Sequence, residues 1–309
     1  MERKVLFEIE SLYRDNFRVT GFKFGKGKKS LCILGNTRGN EYQQIYICSQ
    51  LVKKLKELEE KGRISPGHEI MVVPSANPYS MNIEKRFWPT DNTDINRMFP
   101  GYNLGETTQR IAAGVFDAIQ DYEYGLQFTS FYMPGDFTPH VRIMKTGIEY
   151  IETAKKFGLP YIVTRSPRPY DTTTLNYNWQ IWDTKAFSLY STSTEQIDEE
   201  SAERMVEAVL NFMIEEGIVI GRGYQGYHSQ VVDDSSLVAV RPYSAGMFRS
   251  GIKVSQRVLK GQELAYITDP YDGSVREKIV APVTGTVFFV HNRPMTYANT
   301  AVLKIVPAE

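Results

Sequence analysis

Residues 31–41, Leu-Cys-Ile-Leu-Gly-Asn-Thr-Arg-Gly-Asn-Glu, constrain the chain more than any other stretch: a short apolar run breaks into a glycine-punctuated turn, and a helical pattern follows. The run reads as a buried strand. Behind it Ile45, Cys48, Leu51, Val52, Leu55 and Leu58 recur at helical spacing, with lysines and glutamates on the opposite face, so a helix is expected from Glu41 to Gly62. The unit then repeats. A strand is expected over 69–74, ending in the Pro74 to Pro78 punctuation, then a helix over 107–120 with Ile111, Val115 and Ile119 on one face, then a strand over 125–130. This alternation implies a largely parallel sheet with helices on its faces. Ligands of such sheets bind just beyond the carboxyl ends of the strands, which puts the turn at 35–41 at the mouth of a site.

The flanking segments are less regular. Residues 17–24 alternate as a strand with one polar face, and Lys26-Gly27-Lys28-Lys29 reads as a solvated hairpin. It leads into a strand and lacks the Walker spacing, so it is not a phosphate loop. The polar stretch from Pro78 to Gly101 has no regular pattern, and an unpatterned segment of that length signals a functional loop. Loops at Pro134-Gly135-Asp136 and Pro167-Arg168-Pro169 surround a helix near 148–157 and a strand at 160–164, and Trp179 and Trp182 are expected in core or lid packing. A strand at 186–190 and a helix capped by Asp198 and closed by Gly217 complete this part. From about Gly223 only short β runs appear, so the chain divides into an α/β domain, 1–222, and a β module, 223–309.

Charge and cysteine usage narrow the partners. Lysine plus arginine equal aspartate plus glutamate at 36 each, so no global field draws the protein to nucleic acid or to a membrane surface. A charged ligand must be caught by local groups. Cys32 and Cys48 fall in buried patterns and give no disulfide framework, and no stretch has signal-peptide or membrane-spanning character. The expected location is the cytoplasm, with a homo-oligomer compatible with the sequence.

Three motifs carry a family likeness. Gly35-Asn36-Thr37-Arg38-Gly39-Asn40-Glu41, Asn77-Pro78, and the run Arg86 to Gly101 with its Asp94-Ile95-Asn96-Arg97 and Phe99-Pro100-Gly101 resemble the succinylglutamate desuccinylase/aspartoacylase family, of the zinc carboxypeptidase clan. The terminal module resembles the family's as well, and its Gly261-Gln262-Glu263 and Ala281 to Val287 turns look like a biotinyl/lipoyl-type barrel. It lacks the lysine between methionines of carrier versions, so a cover or assembly surface is expected. The fold class implied is a zinc-carboxypeptidase-like mixed, largely parallel sheet with helices on both faces, plus a C-terminal all-β module. The activity implied is zinc-dependent hydrolysis of amides or esters of N-acyl amino acid type.

Carried over residue by residue, that resemblance leaves gaps. Family members hold zinc through a histidine and a glutamate in a Gly-x-x-His-Gly-x-Glu turn and a second histidine in an Asp-Leu-His-Thr strand end, each offering a lone pair. Here the first histidine position is Arg38 and the glutamate is kept as Glu41, while gap-free matching puts Thr129 at the second histidine and Gln127 at the aspartate, and a one-residue shift would put Phe128 at that histidine. A guanidinium stays protonated and has no acceptor. The family's general-base glutamate falls on Tyr190, a group with an ordinary pKa near ~10 and hence a poor base at neutral pH. Of the four histidines only His140 follows the pocket strand, and with Glu41 it is the one candidate remnant of a metal site.

The anion-handling positions are kept. By the resemblance, Asn96 and Arg97 grip a substrate carboxylate and Arg86 polarises the scissile carbonyl, tasks that suit a planar, permanently charged fork. The structural alternative is that Arg86 and Arg97 staple the loop to Asp91 and Asp94. The function expected is a metal-free, catalytically degenerate member, with no cofactor, that binds a small carboxylate or acylated amine through Arg86, Asn96, Arg97, Glu41 and Gln127. Alternatives are an active hydrolase with an unusual metal site or a metal-free mechanism, and a purely structural subunit. Arg38 leaves the same turn as Glu41, so its guanidinium is expected to neutralise that carboxylate, with the hydroxyls of Thr129 and Tyr190 beside it.

Overall fold

The computed structural model describes residues 1–224 and 226–308. In chain order its main elements are β1 (Glu2–Ile9), β2 (Phe17–Gly25), β3 (Gly27–Asn36), α1 (Tyr42–Glu60), β4 (Gly67–Ser75), α2 (Pro78–Met81), α3 (Thr107–Ile119), β5 (Tyr124–Phe128), β6 (Gly135–Phe137), β7 (His140–Met144), α4 (Ile151–Lys155), β8 (Tyr161–Arg165), α5 (Leu175–Ile181), β9 (Lys185–Tyr190), α6 (Glu199–Glu215) and β10 (Gln230–Asp233). A nine-stranded sheet runs β1-β2-β4-β3-β5-β9-β7-β8-β10. It is parallel from β4 to β9 and again from β7 to β10, and antiparallel at β1/β2, β2/β4 and β9/β7.

The central strand β3 shows why helices lie on both faces. Successive strand side chains point to opposite sides. Leu31 and Ile33 join a core that also holds Leu51 of α1 and Phe212 of α6, whereas Cys32 and Leu34 join one that holds Ile111 and Phe116 of α3 and Trp179 of α5. A strand buried on both faces must be apolar throughout, as this one is.

The basic turn differs from its reading as a hairpin. β2 and β3 do not pair with each other, since both pair with β4, antiparallel and parallel respectively. The reason is steric: Gly67 and His68 at the start of β4 slot between the two strand ends, and a Cβ on Gly27 would lie 2.2 Å from the Gly67 backbone. Only glycine permits that approach, and Gly27 also has φ +146°. Lys26 and Lys28 remain exposed.

The strand β7 and the helix α5 had no clear sequence pattern. Trp179 of α5 is fully buried, while Trp182, just past its end, is half exposed. Gly125 in β5 makes room for the former, since a Cβ there would meet the Trp179 ring at 2.6 Å.

After β10 the chain forms two antiparallel sheets. One contains strands Val238–Val240, Leu303–Pro307, Gly285–His291 and Arg257–Val258, the other Val275–Val280, Glu263–Thr268, Gly246–Ser250 and Met295–Thr296. A separate apolar cluster including Phe248, Ile267, Val287 and Ile305 fills the space between them. β6 pairs with Gly285–His291, placing Phe137 opposite Phe289, so the earlier part of the chain contributes a strand to this region.

Candidate functional site

The turn after β3 folds back on its own glutamate. Glu41 occupies the N-cap of α1 without capping the helix through its side chain. Instead its Oε2 accepts from the backbone N–H groups of Thr37 and Arg38, each at 3.0 Å. Its Oε1 accepts from Ser130 Oγ at 2.5 Å and from Arg38 Nη1 at 3.0 Å. Glu41 is completely buried and Arg38 is 5% exposed. A carboxylate in that position is tolerable because four donors, one of them cationic, meet it.

The other side of the Arg38 guanidinium is taken by the long loop. Asp94 caps the 3-10 turn Ile95–Arg97, its Oδ1 accepting from Asn96 N at 3.0 Å. Its Oδ2 is thereby left to accept from Arg38 Nε at 3.1 Å and Nη2 at 2.9 Å. Arg38 therefore bridges two carboxylates, one from the turn and one from the loop.

A cleft of about 470 Å³ opens beside this network, over the carboxyl ends of β5 and β9 and along β7, and Arg38, Arg86, Arg97, Gln127, Thr129 and Tyr190 all line it. Within it Gln127 Nε2 donates to Asn96 Oδ1 at 2.9 Å. Arg97 Nη1 donates to the Tyr170 carbonyl at 2.5 Å and to Asp171 Oδ1 at 3.4 Å. Arg86 Nη2 donates to the Phe131 carbonyl at 3.3 Å. Burial first, and the charge of Arg38 second, push the Arg86 ionisation downward, the mark of a cation short of counter-charge. The two loop arginines thus do not staple the loop to Asp91 and Asp94. Asp94 is held by Arg38, and Asp91 Oδ1 accepts from Thr93 N.

Two expected neighbours of the Arg38–Glu41 pair are replaced. Ser130 rather than Thr129 reaches Glu41, because Thr129 is the last residue to bond along the sheet, its N–H going to the Leu189 carbonyl. Tyr190 is held elsewhere: its ring stacks on His140 at 4.6 Å and 9°, and its hydroxyl accepts from Arg142 Nη1 at 3.4 Å. His140 is fully buried, its Nδ1 lies 2.8 Å from the Thr138 carbonyl and its Nε2 has no hydrogen-bond partner among the described residues, while Glu41 bonds to Thr37, Arg38 and Ser130. Burial, and then the nearby Arg142, hold the imidazole well below its ordinary pKa, so it is neutral.

Asp94, Ser130, Arg142 and Asn176 also line the cleft. Asp94 and Ser130 both stood inside motifs that carry the family likeness. Arg142 was signalled only by alternation, His140 and Arg142 against Val141 and Ile143. Asn176 carried no signal.

An arginine-lined cleft over the carboxyl ends of a mixed sheet, closed by a polar loop, is a class of site suited to small anionic molecules. The chain belongs to the succinylglutamate desuccinylase/aspartoacylase family, whose catalytic-domain model matches residues 27–215. An N-alpha-acetyl-L-2,4-diaminobutyric acid deacetylase of Halomonas elongata is 24% identical over 269 residues, which cover 81% of this chain and 73% of that protein. In fold, a succinylglutamate desuccinylase of Silicibacter sp. TM1040 is similar with a TM-score of 0.82 at 17% identity, over 98% of this chain and 94% of that one. An aspartoacylase family protein of Mesorhizobium loti is similar with a TM-score of 0.76 at 22% identity, over 96% and 91%. Among the described residues no helix is long and apolar enough to cross a membrane.

Proposed function

We propose that this chain is a metal-free, catalytically degenerate member of its deacylase family that binds a small carboxylate or acylated amine. The observation that carries the reading is the Arg38 guanidinium seated between Glu41 and Asp94. The family implies zinc, and the donor set does not fit it: Arg38 offers only donors where a lone pair is needed, and Thr129 offers a hydroxyl. Among the described residues no three histidine, cysteine, aspartate or glutamate side chains converge. Tyr190, at the base position, hydrogen-bonds to a cation. Binding is assigned to Arg86 and Arg97 with Asn96 and Gln127, and Glu41 serves through Arg38.

The reading also carries a zinc-carboxypeptidase-like main sheet, a barrel-like terminal module, a division into residues 1–222 and 223–309 in which β10 of the second part completes the main sheet, and a cytoplasmic location. The buried free thiols of Cys32 and Cys48 support the last. A second reading, an active hydrolase without the family's metal site, is favoured by one contact, the Ser130 hydroxyl on the Glu41 carboxylate. The salt bridge to Arg38 weighs against it, since Arg38 Nη1 donates to the same Oε1 that would have to take the Ser130 proton.

The experiment is metal analysis of protein purified without chelator, together with an assay for deacylation of N-acyl amino acids. Far less than one zinc per chain and no amine release are expected. Stoichiometric zinc surviving dialysis rejects the metal-free reading, and metal-independent turnover selects the hydrolase.

A further inference from the structure

A second cleft, of about 740 Å³, lies where β1, β2 and the end of β4 meet α2 and the long loop, and it shares no lining residue with the cleft that holds Arg38. Its size falls within the range of small-molecule sites, roughly 300–1,000 Å³. Its wall is an aromatic stack. The Trp88 indole is buried, with the Phe17 ring edge-on at 5.3 Å and the Tyr79 ring tilted by 35° at 5.5 Å. Tyr79 is the outer member, 37% exposed, and it is held twice: Trp88 packs beside its ring, and Arg14 Nη1 donates to its hydroxyl at 3.0 Å. A ring already fixed and still uncovered offers a stacking face with little ordering left to do.

The rim of this cleft is cationic. Arg3, Arg14 and Arg18 line it against a single acid, Asp15. Arg18 is paired with Glu8 at 2.9 Å, whereas among the described residues no carboxylate lies within salt-bridge distance of Arg3 or Arg14. The segment that carries Arg14 is tied down on its own account, since Asn16 Oδ1 accepts from Ser11 N at 3.2 Å and Asn16 Nδ2 donates to Glu8 Oε1. A guanidinium resting on a phenol hydroxyl keeps its charge for a ligand, and its planar fork suits an oxyanion.

We propose that this cleft is a separate binding site for a planar aromatic molecule bearing one oxyanion, a carboxylate or a phosphate, whose ring lies on Tyr79 and whose anion meets the Arg14 guanidinium. Arg3 and Arg18 add to the positive potential at the rim. No residue of the first cleft takes part, so the site stands apart from the carboxylate reading above. An anion without a ring leaves the Tyr79 face in water, and a neutral ring leaves Arg14 without counter-charge, so each half alone binds more weakly than the two joined.

The test is calorimetric titration with AMP and with indole-3-acetate. Each is compared with its ring lacking the anion, adenosine or indole-3-ethanol, and with its anion lacking the ring, ribose 5-phosphate or acetate. At least one anionic ring is expected to bind about tenfold more tightly than both of its controls, the effect of one charged hydrogen bond or one stacked ring. Whichever does so shows whether the anion is a phosphate or a carboxylate. Its affinity should fall as salt rises, because Arg14 is exposed. Tyr79→Leu and Arg14→Gln should each weaken that ligand about tenfold, whereas Arg97→Ala, in the first cleft, should leave its affinity unchanged. Arg14→Gln alters an exposed side chain and keeps the test readable where Tyr79→Leu does not fold. Anionic rings no tighter than their controls, binding that survives both substitutions, or binding lost with Arg97→Ala overturns the site.

Discussion

Arg38 and Asp94, separated by 56 residues of chain, meet through two hydrogen bonds, with Nε and Nη2 both donating to the same Oδ2 at 3.1 and 2.9 Å. The contact pins the long loop to the turn that follows the central strand. Because Arg38 also holds Glu41, the loop and the first helix share one guanidinium.

Removing that guanidinium leaves two carboxylates without their cation, one of them wholly buried. Arg38→Met is expected to destabilise the fold by about 3 kcal/mol, the lower end for breaking a buried pair, as measured by urea unfolding. Arg38→Met with Glu41→Gln should recover part of the loss. A single mutant within about 0.5 kcal/mol of wild type, as for an ordinary surface change, would show that the network contributes little.

Arg97 is positioned by Tyr170 and Asp171 and keeps about a third of its side chain exposed. Arg97→Ala should weaken carboxylate binding by about 2 kcal/mol, near the low end for a buried charged contact because solvent screens part of it. Lys54→Ala, on the outer face of α1, should have no effect. Equal, negligible changes in both would leave the loop only a structural role.

Rebuilding the family's ligands is expected to be insufficient. Arg38→His with Thr129→His supplies two imidazoles, yet Tyr190 stays stacked on His140 and bonded to Arg142, with no base for a water. The double mutant should release no amine from N-acyl amino acids, and adding Tyr190→Glu should be required for any turnover. Turnover by the double mutant alone would place the base elsewhere.

Acid stability follows from His140. Its folded pKa lies well below 6.5 through burial, so below about pH 6.5 the unfolded chain takes up a proton that the folded chain refuses. More protons bound in the unfolded state means that stability rises with pH and falls on acidification. This one group should contribute a slope of up to about 1.4 kcal/mol per pH unit. His140→Phe keeps the aromatic packing and should flatten the slope between pH 6.5 and 5. Equal slopes for mutant and wild type would remove His140 as the cause.

The alternation of strand and helix was plain in the sequence because apolar periodicity at Leu31 to Leu58 and Ile111 to Ile119 follows directly from burial. The family motifs likewise hold Arg38, Asn96 and Arg97, which line one cleft, and Glu41, which is buried behind Arg38. What the sequence could not give was partner choice. Whether Asp94 faced Arg97 or Arg38 depended on how the loop folds over the turn, and Ser130 took the contact expected of Thr129 because β5 ends where it does. The strand order around β4 was hidden for a related reason: it goes with two close glycine approaches, of Gly25 to the His68 carbonyl and of Gly27 to the Gly67 backbone, and neither leaves a periodic trace.

The cation that neutralises Glu41 is carried on the chain itself. A bound ion exchanges with its surroundings, is stripped by chelators and competes with other ions for its ligands. A guanidinium three residues away does none of these things, since it is made with the protein, one per molecule, and cannot dissociate. The charge at this point of the fold is therefore set at translation, and under the metal-free reading proposed above, starvation for zinc or excess of another divalent ion leaves the loop and the helix joined as they are.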